Sequence, residues 1–395
     1  MTPSAALYLA DSRDVGPALA DVAGRPLAFR AVVGAVRTGC QRVFVPAQLR
    51  QRPLAQAVAA SPSARAAVVW LEPGVAPPVG PLLLLPATAL IPSDGLQALL
   101  AAAPTAVLAA SRDSGVPAIA ARSTLVPALW ASIVAARPLA DTLLRALKDE
   151  PRLTVVEAGW CTRVTSSQGR AEAEARLDAE LLTPIDTPLD VLFHRRLSRP
   201  LSRLAVRWQM TPNQVTLLSL IVGLGAAWCF GQADLALALL GFALYAVAVV
   251  LDHVDGEIAR VTLTESSFGA KLDVAVDTAI HALLVMAMGG AAQRVAGGGA
   301  ALSGSAAALG VIASALMTRA APPAAGGIGA LLNALSNRGG FYTMLVLFVT
   351  GLALLPSALP AFMVAVAAGC HAFWLGRLAY GLTQRRRPKT ERKPK

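Results

Sequence analysis

Two short runs hold the residues best suited to chemistry: Leu251-Asp252-His253-Val254-Asp255-Gly256-Glu257-Ile258-Ala259-Arg260 and Gly269-Ala270-Lys271-Leu272-Asp273-Val274-Ala275-Val276-Asp277. A spacing of three puts Asp252 and Asp255 on one helix face, and a spacing of four does the same for Asp273 and Asp277. Two facing helices would bring the four carboxylates together. Mutually repelling carboxylates need cations between them, and hard oxygen ligands select Mg²⁺ or Mn²⁺. His253 adjoins the cluster but points about 100° away from Asp252 on an ideal helix, and no Cys or His stands at zinc spacing. Gly256 and Ala259 continue the stripe begun at Asp252, and Gly269 lies one turn before Asp273. Such small residues can serve close helix packing alone. Interleaved with four aspartates and Arg260, they favour a groove in which a flat or bulky ligand lies.

The elements that must position these residues are largely apolar. The chain has 395 residues, 55% hydrophobic and only 15% charged, a composition that excludes disorder and a fibrous repeat and points to the membrane. Six long apolar stretches, Gln214–Phe230, Ala233–Leu251, Phe268–Gly289, Ser303–Thr318, Phe341–Leu355 and Ala361–Leu382, predict six transmembrane helices. The fourth and fifth are short or Gly/Ala-rich, which leaves five or seven open. The aspartates fall where the second and third spans meet, and ionisable groups so near the bilayer mark a functional site. Ahead of the first span, Asp190–Gln209 carries His194, Arg195, Arg196, Arg199, Arg203 and Arg207 among apolar residues at helical spacing. This predicts a juxtamembrane amphipathic helix lying on the membrane surface, with an ordinary interdomain helix as the alternative.

Charge placement sets the orientation. Of the fifteen Lys and Arg from Arg203 onward, six spans leave only Arg294 in an outer loop, so an inner-membrane protein is expected with both termini and the acidic cluster in the cytoplasm. The net charge of +11 is thereby accounted for beside apolar spans, and the basic tail 386–395 reads as an anionic-lipid contact, not a nucleic-acid arm. Asp11, Arg13 and Asp14 interrupt the N-terminus early, so no cleaved signal is expected. Over residues 1–185 the apolar runs Ala5–Ala10, Arg42–Val45, Ala66–Leu71, Leu82–Leu85, Ala106–Ala110 and Leu153–Val156 alternate with helical stretches. They predict buried strands of a cytosolic α/β domain, followed by a polytopic membrane domain at 186–385 and the tail.

Asp252-x-x-Asp255-Gly256-x-x-Ala259-Arg260, eight residues, Gly269-x-x-x-Asp273-x-x-x-Asp277 resembles the complete signature of the CDP-alcohol phosphotransferase family. Thr211-Pro212-Asn213-Gln214-Val215-Thr216 is similar to that family's opening segment. The resemblance covers about half the chain and implies six spans, a preceding surface helix and a homodimer. It implies attack of an alcohol hydroxyl on the β-phosphorus of a CDP-alcohol, with release of CMP. Asp252, Asp255 and Asp273 would hold a first Mg²⁺ or Mn²⁺, and Asp277 would share a second and act as general base. Asn213, Thr216, Gly256, Ala259, Arg260, Ser266 and Gly269 would surround the CDP moiety.

The donor implied is a CDP-alcohol, CDP-diacylglycerol foremost, making a phospholipid; a water-soluble CDP-alcohol is the alternative. Lys271, Arg319, Arg338 and Arg377 map to cytoplasmic span ends and are candidates for gripping a phosphorylated alcohol acceptor, though each also serves as a positive-inside anchor. Ala6–Asp14, Val22–Leu27 and Thr38–Val45 resemble the opening of sugar-nucleotide nucleotidyltransferases, which would make the chain a bifunctional cytidylyltransferase and phosphotransferase. The catalytic features that resemblance implies are missing. Asp11-Ser12-Arg13-Asp14 replaces a Gly-rich phosphate loop, Ala20 and Asp21 stand where a lysine is expected, and Pro86-Ala87-Thr88-Ala89 offers no carboxylate for Mg²⁺. An inactive nucleotidyltransferase-like shell is therefore expected. A transporter is the third class, disfavoured because all four acids crowd one junction and no internal repeat is evident.

Overall fold

The computed structural model describes residues 2–102, 105–122, 126–135, 137–179, 194–320 and 338–386. It divides into two compact units, Met1–Thr183 with Arg260–Thr264, and Pro184–Ala259 with Glu265–Lys395.

The first unit is built on a seven-stranded sheet. In chain order its strands are β1 (Ser4–Tyr8), β2 (Arg42–Pro46), β3 (Val68–Leu71), β4 (Pro81–Pro86), β5 (Thr105–Leu108), β6 (Ile119–Arg122) and β7 (Leu153–Val156), arranged β7-β5-β6-β4-β1-β2-β3. β1 runs parallel to both β2 and β4, with Ser4 opposite Arg42 on one side and Leu82 on the other. Helices cover both faces, which is why the central strands are continuous apolar runs. Leu83 and Leu85 enter a core shared with Phe29 and Val32, while Leu82 and Leu84 enter another with Trp130 and Leu143. All six strands expected from the apolar runs are present. The seventh, β6, is antiparallel to β4 and β5; its sequence, Ile119-Ala120-Ala121-Arg122, lacks the β-branched run that announces a strand.

The second unit is helical: α1 (Arg195–Arg207), α2 (Pro212–Gly231), α3 (Leu235–Thr262), α4 (Ser267–Ala296), α5 (Ala300–Ala320), α6 (Arg338–Leu354) and α7 (Leu359–Arg386). Thr211 starts α2 with a capping box: its hydroxyl accepts from Gln214 N–H while Gln214 Oε1 accepts from Thr211 N–H, with Pro212 in the first turn. Ser266 starts α4 by accepting from Gly269 N–H at 2.9 Å. α4 packs on α2, α5 and α7. Small residues permit the approach: a Cβ added at Gly289 would lie 2.6 Å from Gly304 Cα, and one at Gly304 would lie 2.7 Å from Gly289 Cα.

Among the described residues, five helices are long and apolar enough to cross a membrane: Pro212–Gly231, Leu235–Thr262, Ser267–Ala296, Ala300–Thr318 and Pro356–Tyr380. They make the chain an integral membrane protein. The expected sixth span, Phe341–Leu355, falls in the shorter apolar helix Gly339–Leu354; about 24 Å of helix is less than the ~30 Å hydrocarbon core. Helix α1 is the described part of the expected amphipathic helix. Leu197, Leu201, Leu204 and Trp208 are exposed along one face, while His194, Ser198, Ser202 and Ala205 are buried along another.

Candidate active site

Asp252 and Asp255 stand on α3, Asp273 and Asp277 on α4. Both helices run unbroken through the aspartates, so the three- and four-residue spacings become shared faces. The ligand atoms of Asp252, Asp255 and Asp273 all lie within 4.8 Å of one another. Asp255 is buried; Asp252 and Asp273 are half-buried. Carboxylates drawn this close repel one another unless a proton or a cation lies between them. Asp277 follows one turn after Asp273, half-buried and near enough to interact electrostatically with Asp255 and Asp273. An all-oxygen set of this kind, drawn from two rigid helices, fits a hard divalent cation such as Mg²⁺ or Mn²⁺.

The other expected contacts fall around this centre in two groups. Thr216, buried on α2, has its hydroxyl within hydrogen-bonding reach of both Asp255 Oδ2 and Pro212 O; its one proton, given to Asp255, orients that carboxylate from behind. Asn213, Ser266 and Gly269 meet where α2 and α4 begin: a Cβ at Gly269 would lie 3.1 Å from Ser266 Oγ and 3.3 Å from Asn213 Oδ1. Gly256 and Ala259 are half-buried on α3, and Arg260 occupies its last turn.

The acceptor candidates are placed less uniformly. Arg377 is 6% exposed on α7, its guanidinium 5.7 Å from the centre of the Phe373 ring. Lys271 is exposed on α4, at about 160° from Asp273 around an ideal helix. Arg319 and Arg338 lie in the last turn of α5 and the first of α6, and their side chains lie outside the described residues.

Three polar residues of this unit went unread in the sequence. Glu257 is 0% exposed between Asp255 and Ala259, and its carboxylate accepts from Ser198 Oγ at 2.7 Å and Ser202 Oγ at 2.6 Å. The available signal was the four-residue spacing of Ser198 and Ser202 on the face of α1 opposite its leucines.

In the first unit, the loop after β1 is closed upon itself. Asp14, 3% exposed, accepts at Oδ2 from the N–H groups of Ala10 (3.1 Å) and Asp11 (3.0 Å) and from Thr88 Oγ1 (3.5 Å). Arg163 Nη2 stands 3.8 Å from its Oδ1. Asp11 beside it is held at a pKa of about 2 by hydrogen bonds from the Arg13 side chain and backbone, so this loop keeps its negative charge. Burial pushes the Cys40 and Cys161 thiols up to about 11, which leaves both unsuited to nucleophilic chemistry.

Residues 209–376 match the CDP-alcohol phosphatidyltransferase family. The matched segment lies within the membrane half of the chain, and members of that family are transferases of substituted phosphate groups. Among individual relatives, the CDP-diacylglycerol–serine O-phosphatidyltransferase of Mycobacterium leprae is 36% identical over 85 residues, 20% of this chain and 26% of that protein. An uncharacterised protein of Aquifex aeolicus is 33% identical over 98 residues, 25% of this chain and 48% of that one. The chain therefore spans from about a quarter to about half the length of these relatives. Two solved structures of Mycobacterium tuberculosis phosphatidylinositol phosphate synthase, one with CDP-DAG bound and one with manganese and citrate, are also similar. They have 18% and 17% identity and a TM-score of 0.38 each, covering 51% and 50% of this chain and 99% and 93% of theirs.

Proposed function

We propose that this protein transfers a phosphatidyl group from CDP-diacylglycerol to an alcohol acceptor, releasing CMP, in phospholipid synthesis. The observation that carries the reading is the convergence of Asp252, Asp255 and Asp273 within 4.8 Å from two helices of a CDP-alcohol phosphatidyltransferase domain. The name of the M. leprae relative, which specifies a CDP-diacylglycerol donor, supports the choice of donor.

In this reading Asp252, Asp255 and Asp273 hold one divalent cation, and Asp277 shares a second. When bound, the cations neutralise the pyrophosphate and the charge growing on departing CMP. Thr216 fixes the rotamer of Asp255 so that its other oxygen faces the centre. Asp277 takes the proton of the acceptor hydroxyl as that oxygen attacks the β-phosphorus; the bond from the β-phosphorus to the CMP oxygen breaks. Gly256, Ala259 and Gly269 leave room for cytidine, while Arg260, Asn213 and Ser266 contact the CDP moiety. Arg377, with Arg319 and Arg338, supplies positive charge for a phosphorylated acceptor, and Lys271 has the weakest claim by its direction.

The same reading extends to the whole chain: an inner-membrane homodimer with Gly339–Leu354 inserted as a sixth span, both termini and the acidic centre facing the cytoplasm, as the distribution of Lys and Arg favours. Residues 1–185 form a nucleotidyltransferase-like domain without transfer activity, followed by the membrane domain 186–385 and the basic tail 386–395. The inactivity is supported by Asp14, whose carboxylate fills the backbone amides that an entering phosphate would need.

The test is CMP release by the full chain with Mn²⁺ or Mg²⁺, supplied with CDP-diacylglycerol or soluble CDP-inositol and with inositol phosphate, glycerol phosphate or serine. CMP from CDP-diacylglycerol and one acceptor is expected. Turnover confined to the soluble donor would replace the lipid reading, and no CMP from any pair would overturn the transferase.

A further inference from the structure

Glu257 is an acid only two residues from Asp255, yet it faces away from the metal centre. On an ideal helix it points about 140° from Asp252 and about 160° from Asp255. Its carboxylate is fully buried, and each oxygen takes a different hydroxyl: Ser198 Oγ donates to Oε1 and Ser202 Oγ to Oε2. The serines, 0% and 6% exposed, are one turn apart on α1. One turn further along the same faces, the rings of His194 and His253 meet with centroids 5.3 Å apart, and both histidines are buried. Apolar residues complete the seam, with Ala205 of α1 packed beside Val254 and Ile258 of α3.

A buried carboxylate is an expensive way to join two helices, since an apolar side chain of similar size fills the space without desolvating a charge. What two hydroxyls on two oxygens add is direction. Leucine contacts let a helix turn about its own axis, whereas a carboxylate gripped at both oxygens does not. Rotation matters here because carboxylates at a radius of about 5–6 Å move by about 2 Å for a 20° turn. Ligand sets for Mg²⁺ or Mn²⁺ do not tolerate a shift of that size.

We propose that the Ser198–Glu257–Ser202 clasp is a positioning element that fixes the rotation of α3, so that Asp252 and Asp255 face Asp273. The inference rests on the reading of those aspartates as a metal centre. Glu257 touches neither substrate nor cation; it acts through the helix that carries two of the ligands.

The test uses the full chain in detergent, with Mn²⁺ affinity followed by electron paramagnetic resonance alongside CMP release and the thermal midpoint. The triple variant Ser198→Ala, Ser202→Ala, Glu257→Leu removes both serine hydroxyls together with the carboxylate they meet and fills the seam with apolar atoms, so it is expected to fold with a midpoint close to the parent's. It should bind Mn²⁺ at least fivefold more weakly and lose at least tenfold in turnover. Glu257→Gln, which keeps the shape and two hydrogen-bonding atoms, should recover most of both. A triple variant with the parent's Mn²⁺ affinity would overturn the proposal, as would a Glu257→Gln variant that falls as far as the triple, since charge and not position would then be at work. If the parent binds Mn²⁺ but releases no CMP from any donor, the transferase reading fails while the difference in Mn²⁺ affinity still decides the clasp.

Discussion

The loop after β1 and the α3–α4 junction are both acidic, but their carboxylates are satisfied in opposite ways. Asp14 is surrounded by donors of its own unit, two backbone N–H groups, the Thr88 hydroxyl and the Arg163 guanidinium. Asp252, Asp255 and Asp273 instead gather oxygens against oxygens, within 4.8 Å. An acid enclosed by donors is part of the scaffold, whereas acids enclosed by acids call for a cation from outside. Glu257 lies within the acidic cluster in sequence but with Asp14 in kind, because serine hydroxyls meet both of its oxygens.

Substitutions should separate the two kinds of acid. Asp273→Asn is expected to lower CMP release by more than about 100-fold, beyond what loss of a partner that merely supports a metal ligand costs, with Mn²⁺ affinity falling in step. Asp14→Asn should leave CMP release unchanged. Within the cluster, Asp277→Asn should abolish turnover while sparing binding of CDP-diacylglycerol better than Asp252→Asn does, as measured by equilibrium binding; equal losses of binding would remove the separate role of Asp277 as base.

Stability effects come next in size. Gly304→Val drives a side chain into the Gly289 backbone and should destabilise the α4–α5 pair by about 1–3 kcal/mol, lowering the thermal midpoint. Asp14→Ala strands two amides and the Thr88 hydroxyl, and a similar cost of about 1–3 kcal/mol should appear in the first unit alone, with CMP release unaffected. The smallest expected signal is pyrophosphate from CTP: none should be released by the full chain, and steady release would show that the loop opens to a triphosphate.

The convergence of Asp252, Asp255 and Asp273 was legible because helical geometry turns a spacing of three or four into a shared face without reference to distant contacts. Six strands were legible as apolar runs for a similar reason, while β6 escaped because alanines form a strand there only through pairing with β4 and β5 on either side. Thr216 was read as one of the residues around the CDP moiety; that its hydroxyl meets Asp255 depends on how α2 crosses α3, which spacing does not encode. Glu257 was passed over inside the signature, since its partners lie 59 and 55 residues earlier in the chain. The helix at Gly339–Leu354 matches its short apolar stretch in length, and that length is what sets it apart from the five longer helices.

The self-closed loop at Asp14 also constrains the history open to the first unit. Replacing Asp14 to reopen the loop would strand two amides and a threonine hydroxyl before any phosphate could take its place. A lysine near Ala20 and a carboxylate near Thr88 would still be wanting. On the reading of residues 1–185 proposed above, each such step lowers stability or gains nothing until the others are in place, so the loop would act as a ratchet that holds this unit away from nucleotide chemistry.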